Sequence, residues 1–155
     1  MKKINWCKKK KLEIKLIEPN DNLSEEYFEN VEESFGVLRA VVETKSNMWI
    51  ATVKYYIEYF AFYSVLMKLG IKCEIHDCTI ILAKFLEGEG IIRKPISELL
   101  EGDKELRIDN QYYLKNKEVK IDFDELSNFL ILIREILGSL DDNKINNVRR
   151  KIDEM

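Results

Sequence analysis

Residues 46–70 read SNMWIATVKYYIEYFAFYSVLMKLG, and this stretch decides the fold. Ser46 or Asn47 is placed to cap a helix whose end is marked by Gly70, a residue that accepts the left-handed C-terminal conformation. Between them Trp49, Val53, Tyr56, Phe60, Tyr63 and Met67 recur at helical spacing as one stripe, with Ile50, Ile57, Ala61 and Leu66 on the adjoining sides. A helix apolar over most of its circumference must be covered over most of it. It is therefore either the central helix of a bundle or a helix shared with a second subunit.

Working outward, LEIKLI at 12–17 alternates apolar and polar residues as a short strand or extended arm would, and Pro19 ends it. Asn22 with Glu25 resembles a capping box, and Tyr27, Val31, Phe35, Leu38 and Val42 then predict an amphipathic helix over about 23–44. On the other side, HDCTIILAKFLEG predicts a third helix ended by Gly88 and Gly90. The proline and glycine in IIRKPISELLEG, residues 91–102, predict a loop with one or two helical turns. DKELRIDNQYYLKN predicts a fourth helix with Leu106, Tyr113 and Tyr112 turned inward. Asp122 and Glu125 form a second capping box ahead of Leu126, Leu130, Ile133, Leu137 and Leu140, spaced 4, 3, 4 and 3. A terminal helix carries Ile145, Val148 and Ile152. The expected fold is all-α: an antiparallel bundle of four to five main helices, residues 21–155, preceded by a short extended basic arm, residues 1–20.

A length of 155 residues, 46% hydrophobic and 34% charged, fits one globular domain and excludes a disordered chain. A net charge of -3 supplies no overall basic field, but residues 1–20 carry a local charge of +5 and residues 21–46 one of -5. This predicts an arm paired with a neighbouring helix or solvated, rather than a nucleic-acid patch. No membrane span is expected, because no apolar run approaches the roughly 18 residues one needs. Three cysteines without a secretory leader predict a reducing, cytoplasmic setting.

The residues with chemistry are concentrated in GIKCEIHDC, residues 70–78, which hold the single histidine, His76, between Cys73 and Cys78. These three lack the paired-ligand spacing of a structural zinc site, so no metal and no cofactor are expected. Cys78 near a helix N-terminus has the setting of an activated thiol, yet a small buried cysteine is the preferred reading. His76 falls at the first turn of the third helix, where free amides and the helix dipole attract anions and favour a neutral ring. Lys68, Lys72, Arg93 and Lys94 are the cations nearest in sequence that could bind a phosphate oxygen.

The stretch MWIATVKYYIEYFAFYSVLMKLGIKCEIHDCTIILAKFLE, an aromatic-rich helix, a glycine turn and a histidine opening a short helix, resembles the HEPN superfamily of small helical proteins and its archaeal branch. The lead-in KKKLEIKLIEPNDNLSEEYFENVEESFGVL and the late FDELSNFLILIREIL are similar to that branch as well, so the resemblance covers about residues 10–140. It implies a dimerising bundle of four or five helices, nucleotide or RNA binding, and a nucleotidyltransferase partner in a toxin–antitoxin module. Active members are metal-independent ribonucleases with arginine, four to six residues, then histidine. His76 matches the second half of that motif. The arginine positions hold Leu69, Gly70 and Ile71, with Lys72 one residue too close and Lys68 one too far. Lysine restores the charge but not the forked geometry, so the resemblance implies a weak or degenerate ribonuclease with His76 as general base. The alternative from another class is a non-catalytic dimerisation or protein-interaction module.

Overall fold

Short connections and well-made caps lay the helices against one another. The computed structural model describes residues 4–8 and 14–155, and these form α1 (Ile4–Lys8), β1 (Lys15–Leu16), α2 (Asp21–Glu43), α3 (Asn47–Leu69), β2 (Ile71–Lys72), α4 (His76–Gly88), α5 (Ile96–Gln111), α6 (Phe123–Ser139) and α7 (Asp142–Glu154). About 75% of the chain is helical, and the single small sheet pairs Lys15 with Lys72 and Leu16 with Ile71, antiparallel. The fold is all-α.

Side chains close the N-termini of four of these helices. Asn20 accepts from the Leu23 amide, Ser46 from Trp49, Asp122 from Asp124 and Glu125, and Asp141 from Lys144. The α2 cap is thus Asn20, two residues before the expected Asn22. At the far end of α3, Gly70 adopts φ 70°, and a Cβ there would collide with the Arg149 guanidinium and the Ile17 carbonyl. Arg149 of α7 uses one nitrogen to donate to the carbonyls of Ile17, Leu69 and Gly70 at 2.6, 3.1 and 2.8 Å, so a side chain on residue 70 would disrupt the joint between three elements.

The central position expected for α3 is observed. It packs against α2, α5, α6, α7 and β2, and Tyr55, Ile57, Ala61, Phe62, Val65, Leu66 and Leu69 are all buried. Its apolar circumference is therefore covered within one chain, and a second subunit is not needed to explain it. Trp49 departs from the stripe: it lies in the first turn of α3, beyond the reach of the neighbouring helices, and is 52% exposed.

Three further expectations are corrected. The helical turns expected within the 91–102 loop are not separate from the next helix, because α5 starts directly after Pro95 and continues through Gly102 to Gln111. Pro95 occupies the cap, where its missing N–H costs nothing, and the Glu87 carboxylate of α4 accepts from both the amide and hydroxyl of Ser97 at 2.7 and 2.8 Å. The glycine penalty of about 1 kcal/mol in a helix is outweighed by burial of Ile96 and Leu100. Secondly, Tyr112 and Tyr113 point outward, since α5 has ended and Leu114 and Asn116 turn the chain with positive φ. Asn110 fastens that turn through the backbone of Lys117.

The third correction concerns the arm and the cysteines. Residues 4–8 are helical rather than extended, and Cys7 forms a disulfide with Cys78 in the first turn of α4. The partners are 71 residues apart in sequence, so neither spacing nor pattern exposes the pairing; the packing of α1 on α4 creates it. Cys78 is consequently not a free thiol, and the cysteine argument for a reducing compartment does not hold. Lys8 donates to the carbonyls of Ile152 and Asp153 at the end of α7, where a cation suits the helix dipole. The other lysines of the KKKK run, residues 9–11, lie outside the described residues. Among the described residues no helix is long and apolar enough to cross a membrane.

Candidate functional site

Three elements bring one cluster of polar and aromatic groups together at the start of α4. His76 is the first residue of that helix, and the preceding Ile75 offers no side-chain cap, while Asp77 brings a carboxylate to the first turn, so the first amides of α4 lack a capping oxygen but have an acidic residue beside them. α3 contributes Tyr55, Tyr56 and Tyr59, which its helical repeat stacks on the side facing α4 and α5. The His76 ring lies flat on Tyr59, 4.3 Å between centroids and 11° between planes. Tyr55 contacts it as well, with the phenol oxygen 2.8 Å from Nδ1, and Tyr56 meets it edge-on.

α5 contributes the cations. The guanidinium of Arg107 lies over the rings of Tyr55 and Tyr56, 4.9 and 5.4 Å from their centroids. Only 8% of Arg107 is exposed, and among the described residues its Nε has no partner and its one hydrogen bond is a long one of 3.4 Å to the Tyr56 hydroxyl. Among the described residues no carboxylate forms an ion pair with it. Cation–π contacts offset part of the loss of hydration, but a buried guanidinium without an anion is an expensive arrangement. One helical turn earlier, Lys104 holds Asp77 at 2.7 Å and Glu101 at 3.3 Å.

The electrostatics follow from this packing. Burial lowers the His76 pKa from its ordinary 6.5, the nearby charges of Arg107 and Lys104 lower it further, and Asp77 opposes them; the ring is neutral at pH 7. Burial pushes the phenols of Tyr55 and Tyr59 well up, so both stay protonated. Burial works against the Lys104 ammonium, but Asp77 and Glu101 outweigh it and raise its pKa. The site therefore presents the Arg107 cation, a Lys104 ammonium paired with Asp77 and Glu101, a neutral imidazole and a helix start without a side-chain cap.

The cations chosen from sequence lie elsewhere. Lys72 on β2 pairs with Glu74 at 3.1 Å, and Lys68 lies 4.0 Å from Asp21. Arg93 lines a cleft with Leu132, Glu135 and Ile136, and Lys94 is exposed in the same loop. None of the four is among the charges that act on His76. Arg107, Lys104 and the tyrosines were not expected, although a signal for Arg107 exists. Ile96, Leu100, Asp103, Arg107 and Asn110 follow the 4, 3, 4, 3 spacing of an inward face, so polar residues occupy core positions at its end, which marks a buried polar network.

Cys73 is buried with its thiol directed at the Ile75 carbonyl at 3.5 Å, and burial raises its pKa, the opposite of an activated nucleophile. Among the described residues no group of three His, Cys, Asp or Glu side chains could hold a metal ion. Next to the site, Glu58 is 1% exposed and shares the Lys54 ammonium with Asp103, at 2.6 and 2.5 Å. Protein-family models, curated proteins and solved structures yield no match to this chain.

Proposed function

We propose that this chain is a HEPN-like RNA- or nucleotide-binding protein that receives a phosphate at the start of α4, between His76, Arg107 and Lys104. The observation that carries the reading is the buried Arg107 guanidinium without a counter-anion, next to a helix N-terminus without a capping side chain. A phosphate oxygen would supply the missing negative charge, and guanidinium is the side chain best matched to it. Arg107 reaches His76 from α5, 31 residues after it in sequence, so a guanidinium and an imidazole share a site even though the arginine of the family motif is absent. The half-buried rings of Tyr56 and His76 would offer an edge to a base or ribose.

The toxin–antitoxin setting with a nucleotidyltransferase partner, and the homodimer, belong to this proposal through the resemblance alone. The test is binding of a short labelled single-stranded RNA across a salt series in chelator. The reading expects affinity that declines with salt, with a log–log slope of about -0.7 per phosphate contacted, and weaker binding by His76→Ala. No affinity at low salt in the folded protein would refute it.

One observation favours the alternative of an interaction module. A groove of about 550 Å³ between α2 and α6 is lined by Phe28, Phe35, Leu130 and Ile131 and rimmed by Glu32 and Glu135. Arg134 also lines it and pairs with Glu32, so the groove is apolar with a mixed-charge rim, and a stable protein complex without RNA affinity would favour that reading.

A further inference from the structure

Tyr55 determines what His76 can do with an anion bound beside it. The Tyr55 side chain is fully buried, its phenol is held protonated by that burial, and its oxygen lies 2.8 Å from Nδ1 of His76. Among the described residues that hydroxyl has no other hydrogen-bond partner. One proton therefore lies between the two atoms. If Nδ1 carried it, the hydroxyl proton of Tyr55 would be buried without an acceptor. If Tyr55 donates, Nδ1 accepts, both members of the pair are satisfied, and the single ring proton sits on Nε2 of the half-exposed imidazole. The cost of leaving a buried donor unpaired favours the second arrangement by roughly tenfold or more.

We propose that Tyr55 is a positioning residue that locks His76 as the Nε2–H tautomer, so that the ring meets a phosphoryl oxyanion only as a donor and not as a base. This rests on the anion-binding reading for its ligand, though not for the tautomer. The groups facing the ring from every side are consistent with it. Arg107 and Lys104 from α5 are cations that keep the ring neutral, Asp77 is engaged by Lys104, Tyr56 and Tyr59 present ring faces and edges, and the α4 amides are donors. A general base toward a ribose 2′-hydroxyl needs an unprotonated nitrogen facing the substrate. Here the only lone pair on the ring is on Nδ1 and is occupied by Tyr55. The site binds a phosphate and leaves the strand intact, which separates a binding role from the ribonuclease role that the family resemblance implies.

The chain has one histidine, so the imidazole spectrum of protein made with isotopically labelled histidine reports His76 alone. The expected result at neutral pH is a protonated Nε2 and a hydrogen-bonded, unprotonated Nδ1, with the Nε2–H signal moving on addition of inorganic phosphate. Tyr55→Phe, which keeps the ring and removes the hydroxyl, should lose the hydrogen-bonded shift of Nδ1 and let the minor Nδ1–H tautomer be populated; should that variant not fold, a wild-type Nδ1 without a hydrogen-bonded shift would by itself overturn the lock. A wild-type ring protonated on Nδ1 would overturn the proposal whether or not phosphate binds. A correct tautomer with no response to phosphate would sustain the Tyr55 lock and overturn the receptor role together with the anion-binding reading. Cleavage of RNA in chelator that disappears in His76→Ala would overturn the donor-only assignment.

Discussion

Replacing Glu58 with glutamine removes a proton that the folded protein holds at neutral pH. Two carboxyls, Glu58 and Asp103, share one ammonium, Lys54, and the second Glu58 oxygen is buried without a partner. Burial pushes the Glu58 carboxyl up from 4.5 to about 9, the hydrogen bond with Asp103 adds to this, and Lys54 pulls the other way. Burial works against the Lys54 ammonium, but Glu58 and Asp103 together outweigh it and raise its pKa. Between pH 4.5 and about 9 the unfolded state binds fewer protons at this residue than the folded state does. The contribution of Glu58 to stability is therefore full at low pH and is lost as pH rises, at up to about 1.4 kcal/mol per pH unit. From about pH 6 to about pH 8 the change is about 2.7 kcal/mol. Glu58→Gln keeps size and neutrality but cannot titrate, so the stability of the variant relative to wild type should rise by that amount over the interval. Urea denaturation of both proteins at both pH values measures it, and other titrating groups cancel in the comparison. A gap between the two proteins that does not change with pH would mean that Glu58 is ionised in the fold.

Other outcomes follow from the joints of the structure. Gly70→Ala should lose several kcal/mol, combining about 1 kcal/mol for a left-handed backbone with a collision at Arg149 and Ile17; an unchanged thermal midpoint would show that the joint yields. Reducing the Cys7–Cys78 bond, which closes a separation of 71 residues, should cost about 4 kcal/mol by the chain-entropy relation, read from denaturation with and without reductant. Three reactive thiols in protein unfolded without reductant would deny the bond. Because the His76 pKa is lowered in the fold, its contribution to stability is present above about 6.5 and is lost as pH falls below that value; His76→Gln should flatten that acid limb, and an identical limb would place a normal pKa on the ring.

The helices were legible in sequence where periodicity and caps agreed. α3 carried Ser46, its apolar circumference and Gly70, and α6 carried Asp122 and its leucine repeat, so local and tertiary preferences pointed the same way. α5 was misread because Pro95 and Gly102 signal breaks locally, whereas Glu87 and the burial of Leu100 override them from outside the segment. The site was half legible. His76 at a helix start was read from its position, but its neighbours come from α3 and α5, and residues 21 and 31 positions away are brought together only by tertiary packing. Nearness in sequence selected Lys68, Lys72, Arg93 and Lys94, none of which is among the charges that act on His76. The disulfide was invisible for the same reason.

The account stands most directly on Arg107. Measured by fluorescence anisotropy with a short labelled single-stranded RNA at fixed low salt, Arg107→Gln should bind about 10- to 100-fold more weakly than wild type, since it removes charge-assisted hydrogen bonds to a phosphate, with thermal melting recording that the variant is folded. Lys72→Ala, which removes a cation paired with Glu74, should change affinity little. Equal affinity of Arg107→Gln and wild type, or a greater loss in Lys72→Ala, would contradict the assignment of the phosphate to the start of α4.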